Sequence, residues 1–158
     1  MKRNTNLQAL SRDHHHGLLL AWKIRQGLKF TADVQTIADY IAYFSATALF
    51  PHFDEEENQI LTYLVEGDLL KQRTLKDHEN ITRSIRQLAA AKDIEPAILL
   101  KIAESIEQHI RFEERELFPY LEALLNPDQL SEIGTAINSN HQPFTENFPN
   151  EFWKKHTN

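Results

Sequence analysis

Two segments of the 158-residue chain repeat one arrangement of potential metal donors. His52 stands four residues before Glu56, and His109 four before Glu113; each glutamate is followed by another, then by two apolar residues and a Tyr-Leu pair. Residues i and i+4 of a helix share a face, so each histidine projects together with its glutamate. A second echo pairs Asp13-His14 with Asp77-His78. Four imidazoles and two carboxylates inside an apolar bundle are costly unless something compensates them, and a metal ion does so. Imidazole with carboxylate suits iron, manganese or zinc. Four imidazole nitrogens and four carboxylate oxygens make eight donor atoms, or four per ion if Glu56 and Glu113 both bridge two ions. A bridging oxygen from solvent would give each ion five ligands and leave octahedral iron an open position for a small ligand.

These donors need helices to position them. Apolar residues recur at helical spacing in four stretches, about 7–28, 34–65, 69–91 and 97–125. The first carries Leu7, Leu10, Ala21, Ile24 and Leu28 on one face; the third carries Leu75, Ile85, Leu88 and Ala89. Gly27 and residues 29–33 read as the end of the first helix, and Gly67-Asp68 closes the second. Asp93 and Pro96 read as an N-cap and a first-turn proline, and the fourth helix ends before Asn126-Pro127-Asp128. Short connections between long helices predict an all-α, up-down-up-down four-helix bundle. The chain reads as one domain over 1–158, with its bundle core at about 7–125. A weaker fifth helix is expected at about 128–138. The irregular tail from His141, with Phe144, Phe148, Phe152 and Trp153, is expected to pack on the bundle as a strap.

On this scheme His52 and Glu56 lie in the stripe Ile41, Ala48, Leu49, Ile60, Tyr63, and His109 and Glu113 in the stripe Ala103, Ile106, Leu117, Tyr120. His78 falls between Leu75 and Ile85. In Asp13-His14-His15-His16, His14 fits the apolar stripe best and His15 is the alternative, with His16 a supporting or surface group. Asp54, Glu55 and Glu57 read as solvated. Asp13 and Asp77 precede proposed ligands, share no face with them, and read as solvated or capping charges. His141 and His156 read as surface histidines. Gly17 marks a close approach to a ligand or neighbouring helix, or is simply tolerated. Pro51 deprives the Thr47 carbonyl of its partner, so it either kinks the second helix and re-aims His52 or starts a new helical segment. Trp22, Tyr43, Tyr63 and Tyr120 read as core aromatics, with a tyrosine hydroxyl near the metal site as the alternative role.

Composition excludes several classes. With 41% hydrophobic and 25% charged residues the chain folds, and four glycines, six prolines and two valines are too few for a β-sandwich or barrel. The absence of cysteine excludes disulfides, iron–sulfur clusters and thiolate zinc sites. A net charge of −6 without a long basic run argues against nucleic acid. No apolar stretch approaches the ~20 residues that span a bilayer, and the N-terminus lacks a signal peptide's apolar core. No membrane association and a cytoplasmic location are the expectation.

Taken in order, His14, His52-x-x-x-Glu56, His78 and His109-x-x-x-Glu113 resemble the hemerythrin-like, or HHE cation-binding, domain family. The segment from Glu113 to Pro119 is similar to that family's fourth-helix motif, and Leu10 to His16 to its first, so that the resemblance covers about residues 7–125. It implies a non-haem centre of two iron ions, bridged by an oxo or hydroxo group and two carboxylates. The roles it implies are oxygen binding; oxygen, iron or redox sensing; response to nitric oxide; and iron–sulfur repair. Oxygen-carrying members have a second third-helix histidine, where this chain has Thr74 and Thr82 beside His78. Their fourth-helix carboxylate is an aspartate five residues after the histidine, whereas Glu113 follows His109 by four. These departures favour sensing or reactivity over reversible carriage. The expected function is therefore a di-iron protein that binds or senses oxygen, nitric oxide, peroxide or iron. The alternative is an enzyme turning over peroxide or nitric oxide or repairing clusters. The Glu-x-x-His motif of ferritin-like bundles is absent: Ser11, Leu49, Leu75, Ile106 and Asn138 stand three residues before the candidate histidines. A purely structural helical adaptor is the remaining class.

Overall fold

The helical spacing of the apolar residues is realised throughout. In the computed structural model, which describes residues 2–155, no strand occurs among the described residues. After a 3₁₀ turn at Thr5–Leu7 comes α1 (Gln8–Lys29). The second helix, α2, spans residues 34–63 and is composite, with α segments Val34–Phe44 and Phe50–Glu55, π turns Ser45–Leu49 and Glu56–Ile60, and a last 3₁₀ turn Leu61–Tyr63. Helix α3 is Leu69–Ala90. Helix α4 spans residues 96–124 as Pro96–Phe112, a π turn Glu113–Leu117 and Phe118–Leu124. Helix α5 is Pro127–Asn140 against an expected 128–138, and a reciprocal capping box between Asn126 and Gln129 fixes its start.

The caps explain most boundaries. Asp33 accepts from the Thr36 N–H to start α2, and Asp68 accepts from the Leu70 and Lys71 N–H groups to start α3. Asp93 does not cap α4: Glu95 occupies that position without a side-chain bond, and Pro96 opens the helix because its missing N–H would be unpaired there anyway. Nor does Gly27 end α1. It lies inside the helix, where a Cβ would come 2.6 Å from the Phe152 ring, and the left-handed residue after the helix is Thr31, at φ 54°.

Among the described residues, two of the three π turns directly precede a Phe-Pro pair. Pro51 breaks nothing: the wide turn Ser45–Leu49, closed by the Phe50 N–H on the Ser45 carbonyl, precedes it and lets a new α segment begin with Phe50-Pro51. The same device recurs on α4, where the Phe118 N–H closes the turn on the Glu113 carbonyl ahead of Pro119. A π turn holds one residue more than an α turn, and such turns concentrate at functional sites.

Helix α1 packs on α2 and α4, and α3 on the same two. The approach of α1 to α4 is close enough that a Cβ on Gly17 would lie 2.5 Å from Ile110 Cδ1, so this glycine marks a helix contact. Two buried apolar clusters fill the interior. One includes Leu20, Ile41, Phe53, Ile85 and Ile106; the other includes Leu10, Ile60, Leu117, Phe118 and Ile133, with α5 covering it. On each of α1 to α4 a metal-donor candidate falls between the two clusters: His14 between Leu10 and Leu20, Glu56 between Phe53 and Ile60, His78 between Leu70 and Ile81, and Glu113 between Ile110 and Leu117.

Some face assignments are corrected. The buried stripe of α3 is Thr74, His78, Ile81, Ile85, Leu88, while Leu75 and Ala89 face outward. Trp22 is 47% exposed. Tyr43, Tyr63 and Tyr120 are half-buried, and their hydroxyls bond to Thr145, Glu132 and Asp68, away from the metal-donor cluster. The tail is the expected strap: Phe152 and Trp153 are buried, Phe144 and Phe148 pack beside them, and the Lys23 ammonium lies 4.0 Å from the Trp153 ring centre. His156 lies outside the described residues. Among the described residues no helix is long and apolar enough to cross a membrane.

Candidate metal centre

All six candidate donors converge. His14, His52, Glu56, His78, His109 and Glu113 are buried, the two glutamates completely. His52 Nε2 lies 2.7 Å from Glu56 Oε1, and His78 Nε2 3.0 Å from Glu56 Oε2. His109 Nε2 lies 2.9 Å and His14 Nε2 3.2 Å from Glu113 Oε1. The six form two sets of four that could each hold an ion, His14/His52/Glu56/Glu113 and Glu56/His78/His109/Glu113, and both sets use both glutamates. His15, the alternative on α1, is exposed.

The chemistry of this donor set is that of a metal centre. The four Nε2 atoms and all four oxygens of Glu56 and Glu113 are buried without a hydrogen-bond partner; though close, they do not point N–H groups along hydrogen bonds to one another. Eight such atoms at one point would be a heavy penalty in an apolar core. Bound cations remove it, and the residues present fit two ions sharing two carboxylates.

The other nitrogen of each imidazole is fully engaged by a carboxylate, and three of the four, Glu57, Asp13 and Asp77, read from the sequence as solvated or, for the two aspartates, as solvated or capping charges. Asp13 on α1 takes His52 Nδ1 of α2 at 2.9 Å, and Glu57 on α2 takes His78 Nδ1 of α3 at 2.9 Å. Asp77 on α3 takes His109 Nδ1 of α4 at 3.0 Å, and Glu114 on α4 takes His14 Nδ1 of α1 at 2.9 Å. The four bonds run in a ring, each helix orienting the imidazole of the next. An ionised carboxylate only accepts, so each Nδ1 carries a proton, which leaves Nε2 as the nitrogen that a metal at the centre would take. The sequence signal was present in the doublets Asp13-His14, Glu56-Glu57, Asp77-His78 and Glu113-Glu114. A neighbour along a helix is turned by about 100°, which takes it off the ligand's own face and onto the face of the adjacent helix.

Charge follows from this crowding of carboxylates. Burial opposes the imidazolium forms, yet the carboxylates around them prevail and raise all four histidines, His52 to about 9 and His109 to about 10. Burial likewise opposes ionisation of Glu56 and Glu113, Glu56 adding its own repulsion at Glu113, but the imidazoles win and hold both below the ordinary carboxylate range. Burial raises Glu114 as well, and its bonds from His14 and Arg3 overcome that to bring it to about 2. The metal-free centre thus holds protons where ions would sit.

His141 is no surface histidine. Its Nδ1 bonds Glu55 at 3.0 Å, and its Nε2 lies 3.1 Å from Asp13 Oδ1, the carboxylate that orients His52. Glu55 is therefore engaged too, and of the acidic run only Asp54 is exposed. Thr74 is buried and its hydroxyl donates to the Leu70 carbonyl of its own helix, so it supplies no fifth imidazole's worth of ligand. Beside the centre lies a cavity of about 190 Å³, which touches His14, His52, His109 and Glu113 and is walled by residues including Phe44, Leu49, Ile81, Ile106 and Ile110. His16 and His141 line it as well, and no tyrosine does.

The family model described as the hemerythrin HHE cation binding domain matches residues 5–121. No curated protein and no solved structure matches the chain.

Proposed function

Because the chain belongs to the hemerythrin HHE cation-binding domain family, we propose that it holds two iron ions, oxo- or hydroxo-bridged, and binds or senses a small ligand such as oxygen, nitric oxide or peroxide. The observation that carries this reading is the set of eight buried, unpartnered donor atoms shared between two ligand groups. His14 and His52 would hold one ion, His78 and His109 the other, and Glu56 and Glu113 both. Two irons held there would supply redox chemistry and an open coordination position, because four protein atoms per ion would leave an octahedral metal unsaturated. The chain's own work is positioning: Asp13, Glu57, Asp77 and Glu114 fix each imidazole with Nε2 inward, and the two apolar clusters above and below keep bulk water from the carboxylates. The short connections favour the up-down-up-down course of the four long helices, within one domain.

The test is a titration of the reduced, iron-loaded protein with nitric oxide, oxygen and peroxide, followed by its visible spectrum. The reading expects a saturable spectral change with at least one of the three. A spectrum unmoved by all three, in protein whose iron content is verified, would overturn it.

A further inference from the structure

The cavity beside the centre is far larger than a diatomic ligand requires. One water occupies about 30 Å³ of liquid, and an apolar cavity of about 150 Å³ accepts benzene; this one measures about 190 Å³. Its walls at Phe44, Leu49, Phe53, Ile81, Ile106 and Ile110 offer no hydrogen bonds; of the charged groups that also line it, Asp13, Glu55 and His141 are already bonded to one another, so beside His16 a charged guest finds little to replace its hydration. At the inner end stand three of the donor histidines and Glu113; at the outer end, Thr47, Pro51, Asn140 and Gln142 are exposed and lead to solvent.

We propose that this cavity binds an uncharged organic molecule of about the size of an aromatic ring, held by the apolar walls against the inner face of the metal centre. The proposal deepens the reading above and rests on it for the guest's functional meaning, but occupancy of the cavity itself requires no iron. Ala48 lines the cavity on α2 and is the natural place to fill it, since a phenylalanine side chain there projects into the space a guest would take.

The probe is benzene, added to the full chain as purified, with metal content counted in the same sample. Saturating benzene is expected to raise the melting temperature by at least about 2 °C, because a ligand that binds only the folded state stabilises it. Contacts between benzene protons and the δ-methyls of Ile106 and Ile110 are expected in nuclear Overhauser spectra. Ala48→Phe is expected to abolish both effects while leaving the metal content unchanged. The methyl contacts need no variant, so they decide the matter even if Ala48→Phe fails to fold. No thermal shift and no methyl contact in the wild type, or an effect undiminished in folded Ala48→Phe, would overturn the proposal. Benzene binding by protein that takes up no iron even on reconstitution would leave the cavity assignment standing and remove the di-iron reading; metal without benzene binding would do the reverse.

Discussion

His141 Nε2 lies 3.1 Å from Asp13 Oδ1, while Asp13 Oδ2 takes the Nδ1 proton of His52. A residue of the segment beyond the family match thereby braces a carboxylate that braces a proposed ligand. His141→Ala should leave Asp13 freer and weaken metal retention, seen as faster loss of metal to a chelator, with the helical content unchanged. A chelation rate equal to that of the wild type would show that His141 serves only to seat the tail.

Within the ring of orienting carboxylates, Asp77 takes His109 Nδ1 at 3.0 Å. Replacing such a partner of a metal-bound histidine costs about 10–100-fold in metal affinity. Asp77→Ala should fall in that range in a competition titration. Affinity within about twofold of the wild type would contradict the orienting role.

The pH dependence of the metal-free chain carries a definite sign. His52 and His109 are raised from 6.5 to about 9 and about 10, so their ion pairs with Glu56 and Glu113 stabilise the fold fully below 6.5, and that stability is lost as pH rises through 9 and 10. Glu56 and Glu113, lowered from 4.5, contribute above that value and lose their share on acidification. Thermal melts of chelator-treated protein should therefore fall steadily from about pH 7 to about pH 10, and melts of loaded protein should not, since metal replaces the protons there. A metal-free midpoint that is flat or rises over that range would count against the arrangement.

Much of this was legible in the sequence, and the misses share one cause. Apolar spacing located the helices, the repeated His-x-x-x-Glu found four donors, and the Asp-His echo with the apolar stripes added His14 and His78; the fold brings all six together. What single-helix periodicity could not give was anything that depends on the neighbouring helix. Asp13, Glu57 and Asp77 looked solvated because each is off its own helix's buried stripe, yet each faces the next helix. His141 looked like a surface residue because its partners, Glu55 and Asp13, lie 86 and 128 residues away in sequence. Leu75 and Ala89 fitted a helical stripe that is real but rotated, the true one passing through Thr74 and Ile81. The π turns have no simple sequence signature beyond the Phe-Pro pairs that follow two of them.

The seat of the tail is tested at Gly27. A Cβ there would meet the Phe152 ring at 2.6 Å and Ile37 Cδ1 at 3.0 Å, and a ring edge cannot swing away as a chain end can. Gly27→Ala should destabilise by about 1–3 kcal/mol through overpacking. In a Phe152→Ala background the ring clash is gone and only the Ile37 methyl end must give way, so the same change should cost markedly less or become neutral, alanine favouring helix by about 1 kcal/mol over glycine. Denaturant melts of the four proteins measure it; equal effects in both backgrounds would show that Phe152 does not seat against Gly27.

The central claim is that eight buried donor atoms on four helices hold two ions through shared Glu56 and Glu113. Its most direct test is elemental analysis of protein purified aerobically from iron-supplemented cells, for the wild type and Glu113→Ala together. The account predicts about two irons per wild-type chain and a loss at both positions in the variant, to below about one, because each ligand group includes Glu113. Wild-type protein that retains no iron after reconstitution, or a Glu113→Ala variant that keeps the full complement, would contradict it.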